Sequence, residues 1–316
     1  MANFTKQILI FILIIVCISF ILNLFQGYFN LDPKHYKKQY SSAKNFIPTH
    51  NINGIILGTS HSTHSLRPKI LDKSGITFYN YALNGASPEF NYNWYNRIYR
   101  PYNESPSYCL FGVDFFMFDK NWLWRSFEQD AEYFSYEVFF KELFLNNRSN
   151  KKDLIINRFP FLKYRSQIKS SLKLKHGDPS FNMSNYDRGY ISYSTAFEST
   201  RFEPKLKFKV DKIQIEYFKI LVNQMISDNI KIFFIFPPEY GIDIAKYNKM
   251  ESLKIINEIA NQYAIPILNY NTDLRSDINK DILLFSDWGH MNHRGAEIFS
   301  NKIANDLKDK TNNILH

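Results

Sequence analysis

Three stretches constrain the fold of this chain most: Gly54-Ile55-Ile56-Leu57, Tyr108-Cys109-Leu110-Phe111-Gly112-Val113 and Lys231-Ile232-Phe233-Phe234-Ile235-Phe236. A strand with one face in water alternates apolar and polar residues. A run that stays apolar reads as a strand covered on both faces, which is the condition of a parallel sheet. The third run is stopped by Pro237-Pro238. Between and after the runs lie helical segments. A short helix is expected over 66–71 and a second strand over 76–81. Pro88 is placed to open a helix over 89–100, since proline suits a first helical turn. Helices are expected over 212–228, 242–264 and 293–310, with a short strand over 265–269. Strands alternating with helices give an α/β fold with right-handed crossovers.

The chain has 316 residues, enough for one large domain with an insertion. The strand–helix alternation lapses over 115–208, too long a span for a plain loop. It reads as a helical, aromatic-rich insertion in a chain that holds 29 Phe and 21 Tyr. So many rings exceed what one core needs, and some are expected to line a groove or face a membrane or partner.

Residues 8–25 form a predominantly apolar run of 18 residues with no charged side chain, close to the ~20 residues that span a bilayer. Lys6 precedes it, which favours a cytoplasmic N-terminus. No small-x-small cleavage site follows, so an uncleaved anchor over 1–30 is expected rather than a signal peptide. A polar stalk over 31–53 and a domain over 54–316 complete the reading, with the insertion inside the domain. Lys34, Lys37 and Lys38 just past the span weaken the charge asymmetry.

The formal net charge is +9, and residues 148–175 carry nine basic residues against Asp153 alone. Such a field suits anionic partners, or it is a solvated face. With the domain expected outside the cytoplasm, nucleic acid is not expected as its partner. Cys17 and Cys109 lie far apart in sequence and suggest neither a disulfide nor a metal site.

The chemistry is carried by Gly58-Thr59-Ser60-His61 at the end of the first strand and by Asp287-Trp288-Gly289-His290 late in the chain. A serine hydroxyl is a poor nucleophile until a base takes its proton. His290 titrates near neutrality and is the candidate base. Asp287, three residues earlier, can reach the other ring nitrogen, hold the tautomer and stabilise the imidazolium. Acyl transfer also needs donors to the developing oxyanion. The backbone N–H groups of Ser60 and Gly85 are the candidates, and Asp114 stands at a third strand end. Taken singly, Ser60 could simply cap a helix. His61 and His64 invite a metal reading, but no carboxylate or cysteine neighbours them, so neither metal nor cofactor is expected. Arg188 could bind an anionic substrate group or pair with Asp187. Trp122 and Trp124 could stack on a sugar or fill a core.

These blocks, in this order, resemble the SGNH hydrolase superfamily. Gly58-Thr59-Ser60 matches its nucleophile block, Gly85 its oxyanion glycine, and Asp287-x-x-His290 its closing block. The resemblance implies a flavodoxin-like three-layer sandwich with its site at the strand ends. It also implies a Ser60–His290–Asp287 triad. The Gly-Thr-Ser-His wording, the Phe236-Pro237-Pro238 strand end and the N-terminal run resemble membrane-anchored members that act on envelope polymers. Those include the alginate O-acetylation proteins and the D-alanyl transfer protein of teichoic acid synthesis. The implied function is transfer or removal of an acyl group, acetyl above all, on an anionic or neutral envelope glycan. A membrane-bound acyl donor transferase is the implied partner, and the domain is expected in the periplasm or outside the cell. One departure stands out. The third block of the superfamily reads Gly-x-Asn-Asp, and its asparagine amide donates to the oxyanion, whereas Gly112-Val113-Asp114 puts an aspartate at the asparagine position. Either Asp114 is protonated, or it faces elsewhere, or two backbone donors suffice. A site that has lost activity, in a tethered polymer-binding or assembly protein, is the competing expectation.

Overall fold

The computed structural model describes residues 51–119, 122–163, 187–193, 197, 209–240, 249–271 and 277–312, with scattered helical positions between 5 and 21. The expected anchor and stalk lie mostly outside these residues, as do most of the second half of the expected insertion and the start of the helix expected from 242. Among the described residues, no helix is long and apolar enough to cross a membrane. Two compact units are resolved: one comprises Ile47–Ser126 and Met183–His316, and the other has its described helices within Phe127–Asn182.

The larger unit is built on five parallel strands: β1 Gly54–Leu57, β2 Phe78–Asn80, β3 Tyr108–Gly112, β4 Lys231–Phe236 and β5 Ile267–Asn269. Their spatial order is β2-β1-β3-β4-β5. Register pairs Ile56 with Leu110, Leu110 with Phe233, and Ile235 with Leu268. Five helices of this unit matter to the site: α1 Ser60–Ser65, α2 Pro68–Leu71, α3 Pro88–Trp94, α7 Lys212–Ser227 and α9 His293–Asn312. Three of them, α1, α3 and α7, begin at a residue whose side chain accepts from a free N–H group of the first turn. Ser87 Oγ accepts from Phe90 N ahead of Pro88, and Asp211 accepts from Ile213 N. Helix α3 continues as a π-helical turn over Tyr95–Tyr99.

Successive strand residues point to opposite faces of the sheet, and the core follows that alternation. Ile56, Leu110, Phe233 and Ile235 pack with Phe299, Ile303 and Leu307 of α9. Phe111 and Phe234 turn the other way, to Phe218 of α7, with ring centroids 5.2 and 5.3 Å apart. The sheet is therefore covered on both faces, as its continuous apolar runs require. Phe299, Ile303 and Leu307 have no exposed surface, and burying each stabilises by roughly 1.5–3 kcal/mol. Helix α8 Lys249–Gln262 lies between β4 and β5 in sequence.

The second unit contains α4 Tyr136–Phe144, α5 Lys151–Arg158 and α6 Pro160–Lys163. Several of its basic residues are used internally. Arg158 Nη1 donates to the carbonyls of Ala131, Glu132 and Phe134, the last at 2.6 Å. Lys163 Nζ donates to Gln129 O and Glu132 Oε1, both at 2.7 Å. Lys151 Nζ donates to the carbonyls of Glu142 and Asn146, which close α4. Arg148 and Lys152 are exposed.

Candidate active site

The site grows from the C-terminal edge of the sheet. After β1 the chain turns at Gly58, whose φ of +133° suits only glycine. The turn delivers Thr59 as the cap of α1, its Oγ1 accepting from His61 N at 3.3 Å, and leaves Ser60 as the first helical residue. Helix α1 has only six residues, far too few to hold itself together. It is fixed from outside at both ends. Thr59 Oγ1 donates to Asp114 Oδ2, beyond the end of β3. Asn80, the last residue of β2, donates its amide to the carbonyls of Ser62 and Leu66, each at 2.9 Å.

Ser60 Oγ lies 2.8 Å from His290 Nε2. The other ring nitrogen, Nδ1, lies 2.9 Å from Asp287 Oδ1 and 3.0 Å from Oδ2. An ionised carboxylate only accepts hydrogen bonds, so Nδ1 carries the proton and Nε2 offers its lone pair to the serine. Asp287 Oδ1 also accepts from the backbone N–H groups of Gly289 and His290, at 2.9 and 2.8 Å. Burial would raise the Asp287 pKa, but the hydrogen bond and charge of His290, with those two N–H groups, hold it below the usual carboxylate range. His290 is pushed below its ordinary value, chiefly by burial and further by the charge of His61, against the pull of Asp287.

The remaining expected residues find definite places. The carbonyl of Gly85 accepts from Arg125 N at 3.0 Å. The indole of Trp124 lies where a Gly85 Cβ would be, 2.7 Å from that point, and half of Trp124 is exposed. Trp122 packs against Phe116 at 6.0 Å. Arg188 pairs with Asp72 Oδ2 at 2.6 Å rather than with its neighbour Asp187, which instead takes Arg67 Nε at 3.4 Å and the N–H of Lys69 at 2.8 Å. His64 Nδ1 sits on the carbonyl of Ile191 at 2.8 Å.

Two residues near Ser60 and His290 escape sequence reading, and a third takes a partner that the spacing does not show. Tyr193 stacks on His290, with centroids 5.0 Å apart and planes 6° from parallel. It comes from an irregular stretch where Ile191 N donates to Thr63 O, and no local pattern marks it. Asn80 is one polar residue closing a short strand. His61 lies with Nδ1 2.9 Å from Asp114 Oδ1, so both Asp114 oxygens face residues of the turn after β1.

No protein-family model and no curated protein matches this chain. Solved structures do match it at low identity. A protein described as a lipolytic protein of the G-D-S-L family, from Desulfitobacterium hafniense DCB-2, is 12% identical with a TM-score of 0.40, covering 81% of this chain and 99% of that one. A protein described as an acylhydrolase, from Bacteroides fragilis NCTC 9343, is 11% identical with a TM-score of 0.40, covering 89% and 97%. A GDSL-like lipase from Bacteroides thetaiotaomicron VPI-5482 is 8% identical with a TM-score of 0.41, covering 86% and 97%.

Proposed function

We propose that this chain is an acyl esterase or transferase of the SGNH kind, with Ser60 as nucleophile, His290 as general base and acid, and Asp287 as the group that orients the base. The observation that carries this reading is the unbroken hydrogen-bonded chain from Ser60 Oγ through His290 to Asp287. Ser60 Oγ attacks the acyl carbonyl carbon while its proton passes to His290 Nε2. The carbonyl oxygen becomes an oxyanion held by backbone N–H groups, for which Ser60 and Gly85 are the candidates. Collapse of the intermediate expels the donor's alkoxide, which takes the proton from His290, and leaves an acyl-serine. An acceptor hydroxyl or water then attacks this ester and gives its proton to His290; the acyl–Oγ bond breaks, the acylated acceptor or acid leaves, and His290 returns the proton to Ser60 Oγ.

The finer reading is an extracytoplasmic domain tethered by residues 1–30 that moves acetyl groups to or from an envelope glycan, served by a membrane-bound acyl donor. Its supports are the apolar run over 8–25 and the resemblance of the Gly58–His61 and Asp287–Asn292 wording to anchored envelope enzymes. The half-exposed Trp124 beside Gly85 offers a face on which a sugar ring could stack.

The test is labelling with a fluorophosphonate. The wild type should be labelled at Ser60 and Ser60→Ala should not. Equal labelling of the two removes the nucleophile from the proposal. Membrane topology is checked separately with a reporter fused after His316, and a cytoplasmic signal would reject the extracytoplasmic reading.

A further inference from the structure

Asp114 stands where the resemblance expects an amide donor, and both of its oxygens are engaged away from that duty. Oδ2 accepts from Thr59 Oγ1, and Oδ1 faces His61 Nδ1 at 2.9 Å, an ion-pair distance reached out of line for a hydrogen bond. His61 follows Ser60 directly and is 2% exposed. Its ring meets that of His290 edge-on, centroids 5.0 Å apart and planes at 89°, and meets Phe116 likewise at 5.1 Å. Its second nitrogen, Nε2, is buried and has no hydrogen-bond partner among the described residues. Buried ring nitrogens seldom go unpaired. One left open on the residue that follows the candidate nucleophile, in a ring that meets His290 edge-on, suggests a partner that arrives with the substrate.

We propose that His61 is a catalytic oxyanion donor, its Nε2–H taking the role of the missing asparagine amide, with Asp114 as the residue that positions it. This rests on the acyl-transfer reading above. As Ser60 Oγ bonds to the acyl carbon and the carbonyl π pair moves onto oxygen, Nε2–H donates to that oxygen and keeps its proton throughout. When the carbonyl reforms, the hydrogen bond weakens and His61 is unchanged. With Nδ1 facing a carboxylate, both nitrogens carry protons only if the ring is an imidazolium, and a charged donor makes a stronger bond to an oxyanion than a neutral amide. The groups facing the ring favour that state. Asp114 lies beyond β3, Glu239 beyond β4 at 4.0 Å from Nδ1, and Asp287 and His290 on the loop before α9. Burial alone would lower the His61 pKa, but Asp114, and behind it Glu239 and Asp287, outweigh it and raise the value.

The experiment uses the full chain, p-nitrophenyl acetate as substrate, and a trifluoromethyl ketone that adds to the serine as a hemiketal oxyanion. His61→Leu cannot donate, whereas His61→Gln carries an amide N–H near the Nε2 position. Loss of one oxyanion donor predicts that Leu lowers kcat/KM by about 10²–10³, mostly in kcat, with ketone affinity falling in parallel. Gln should recover most of that loss. Unchanged turnover in Leu overturns the inference, and so do equal losses in Leu and Gln with ketone affinity intact. Should Leu fail to fold, the pH profile decides. Wild-type kcat/KM should fall as pH rises through the raised His61 pKa, and the Gln variant should lack that limb. Wild-type activity without an alkaline limb overturns the assignment. A wild type that neither turns over the ester nor binds the ketone overturns the acyl-transfer reading itself, and this inference with it. An active wild type with unaltered variants overturns this inference alone.

Discussion

Gly112→Ala tests how tightly the candidate nucleophile is held. Gly112 ends β3, and a Cβ there would fall 1.6 Å from Ser62 Oγ, 2.9 Å from Ser62 Cβ and 3.4 Å from the carbonyl of Leu57. Rotating the Ser62 hydroxyl relieves the first contact. The second remains, because Ser62 Cβ is fixed to the backbone of α1. Reaching an ordinary carbon–carbon separation of ~3.5–4.0 Å requires α1 to withdraw from the sheet by roughly half an ångström to one ångström. Overpacking of this kind costs about 1–3 kcal/mol of stability. The same shift carries Ser60 relative to His290, now 2.8 Å away, and a misplacement of about 1 Å can cost about 10²-fold in rate. Thermal unfolding and ester turnover should therefore fall together. Ser62→Gly in the same chain removes the obstructing atoms and should restore most of both. Wild-type stability and turnover in Gly112→Ala would refute the reasoning, as would a double variant no better than the single one.

Asp287→Asn should leave the fold in place and lower kcat by about 10⁴, since an amide cannot hold the tautomer that gives Nε2 its lone pair; turnover within tenfold of wild type would contradict the role. Asn80→Ala removes the donors to Ser62 O and Leu66 O, and leaving such buried groups unmet costs about 1–3 kcal/mol, read as a lower midpoint in urea. On the acid side, His290 must be neutral to act, and its pKa lies below 6.5, so kcat/KM should rise to its plateau with a midpoint below that value; a midpoint above it would contradict the burial argument. Asp287 titrates below 3.8 in the folded chain, so its stabilisation is complete above the unfolded value of about 3.9 and fades as pH falls through the folded one. Acid unfolding followed by circular dichroism should therefore be less pH-dependent in Asp287→Asn.

The sheet was legible because its information is local. Continuous apolar runs such as Tyr108–Gly112 mark strands covered on both faces, and Ser87-Pro88 marks a helix start. Ser60, Asp287 and His290 were legible because chemistry demands those side chains and strand order brings them to one edge. The neighbours that tune them were not. That Asp114 turns to His61 depends on the relative height of two strand ends, which no spacing encodes. Tyr193 reaches His290 from a stretch with no period, and Arg188 passes over adjacent Asp187 for Asp72, 116 positions away. Such pairings follow from loop geometry fixed only after the core has formed.

Helix α1 has one more consequence, for how the protein opens. Six residues give almost no helical stability of their own. His61 to Ser65 are nonetheless all buried, and the helix is tied to Asp114 beyond β3 at one end and to Asn80 of β2 at the other. The segment carrying Ser60 therefore has no way to fray by itself. In native-state hydrogen exchange its protected amides should open only with the sheet, at the free energy of global unfolding rather than at that of a surface turn.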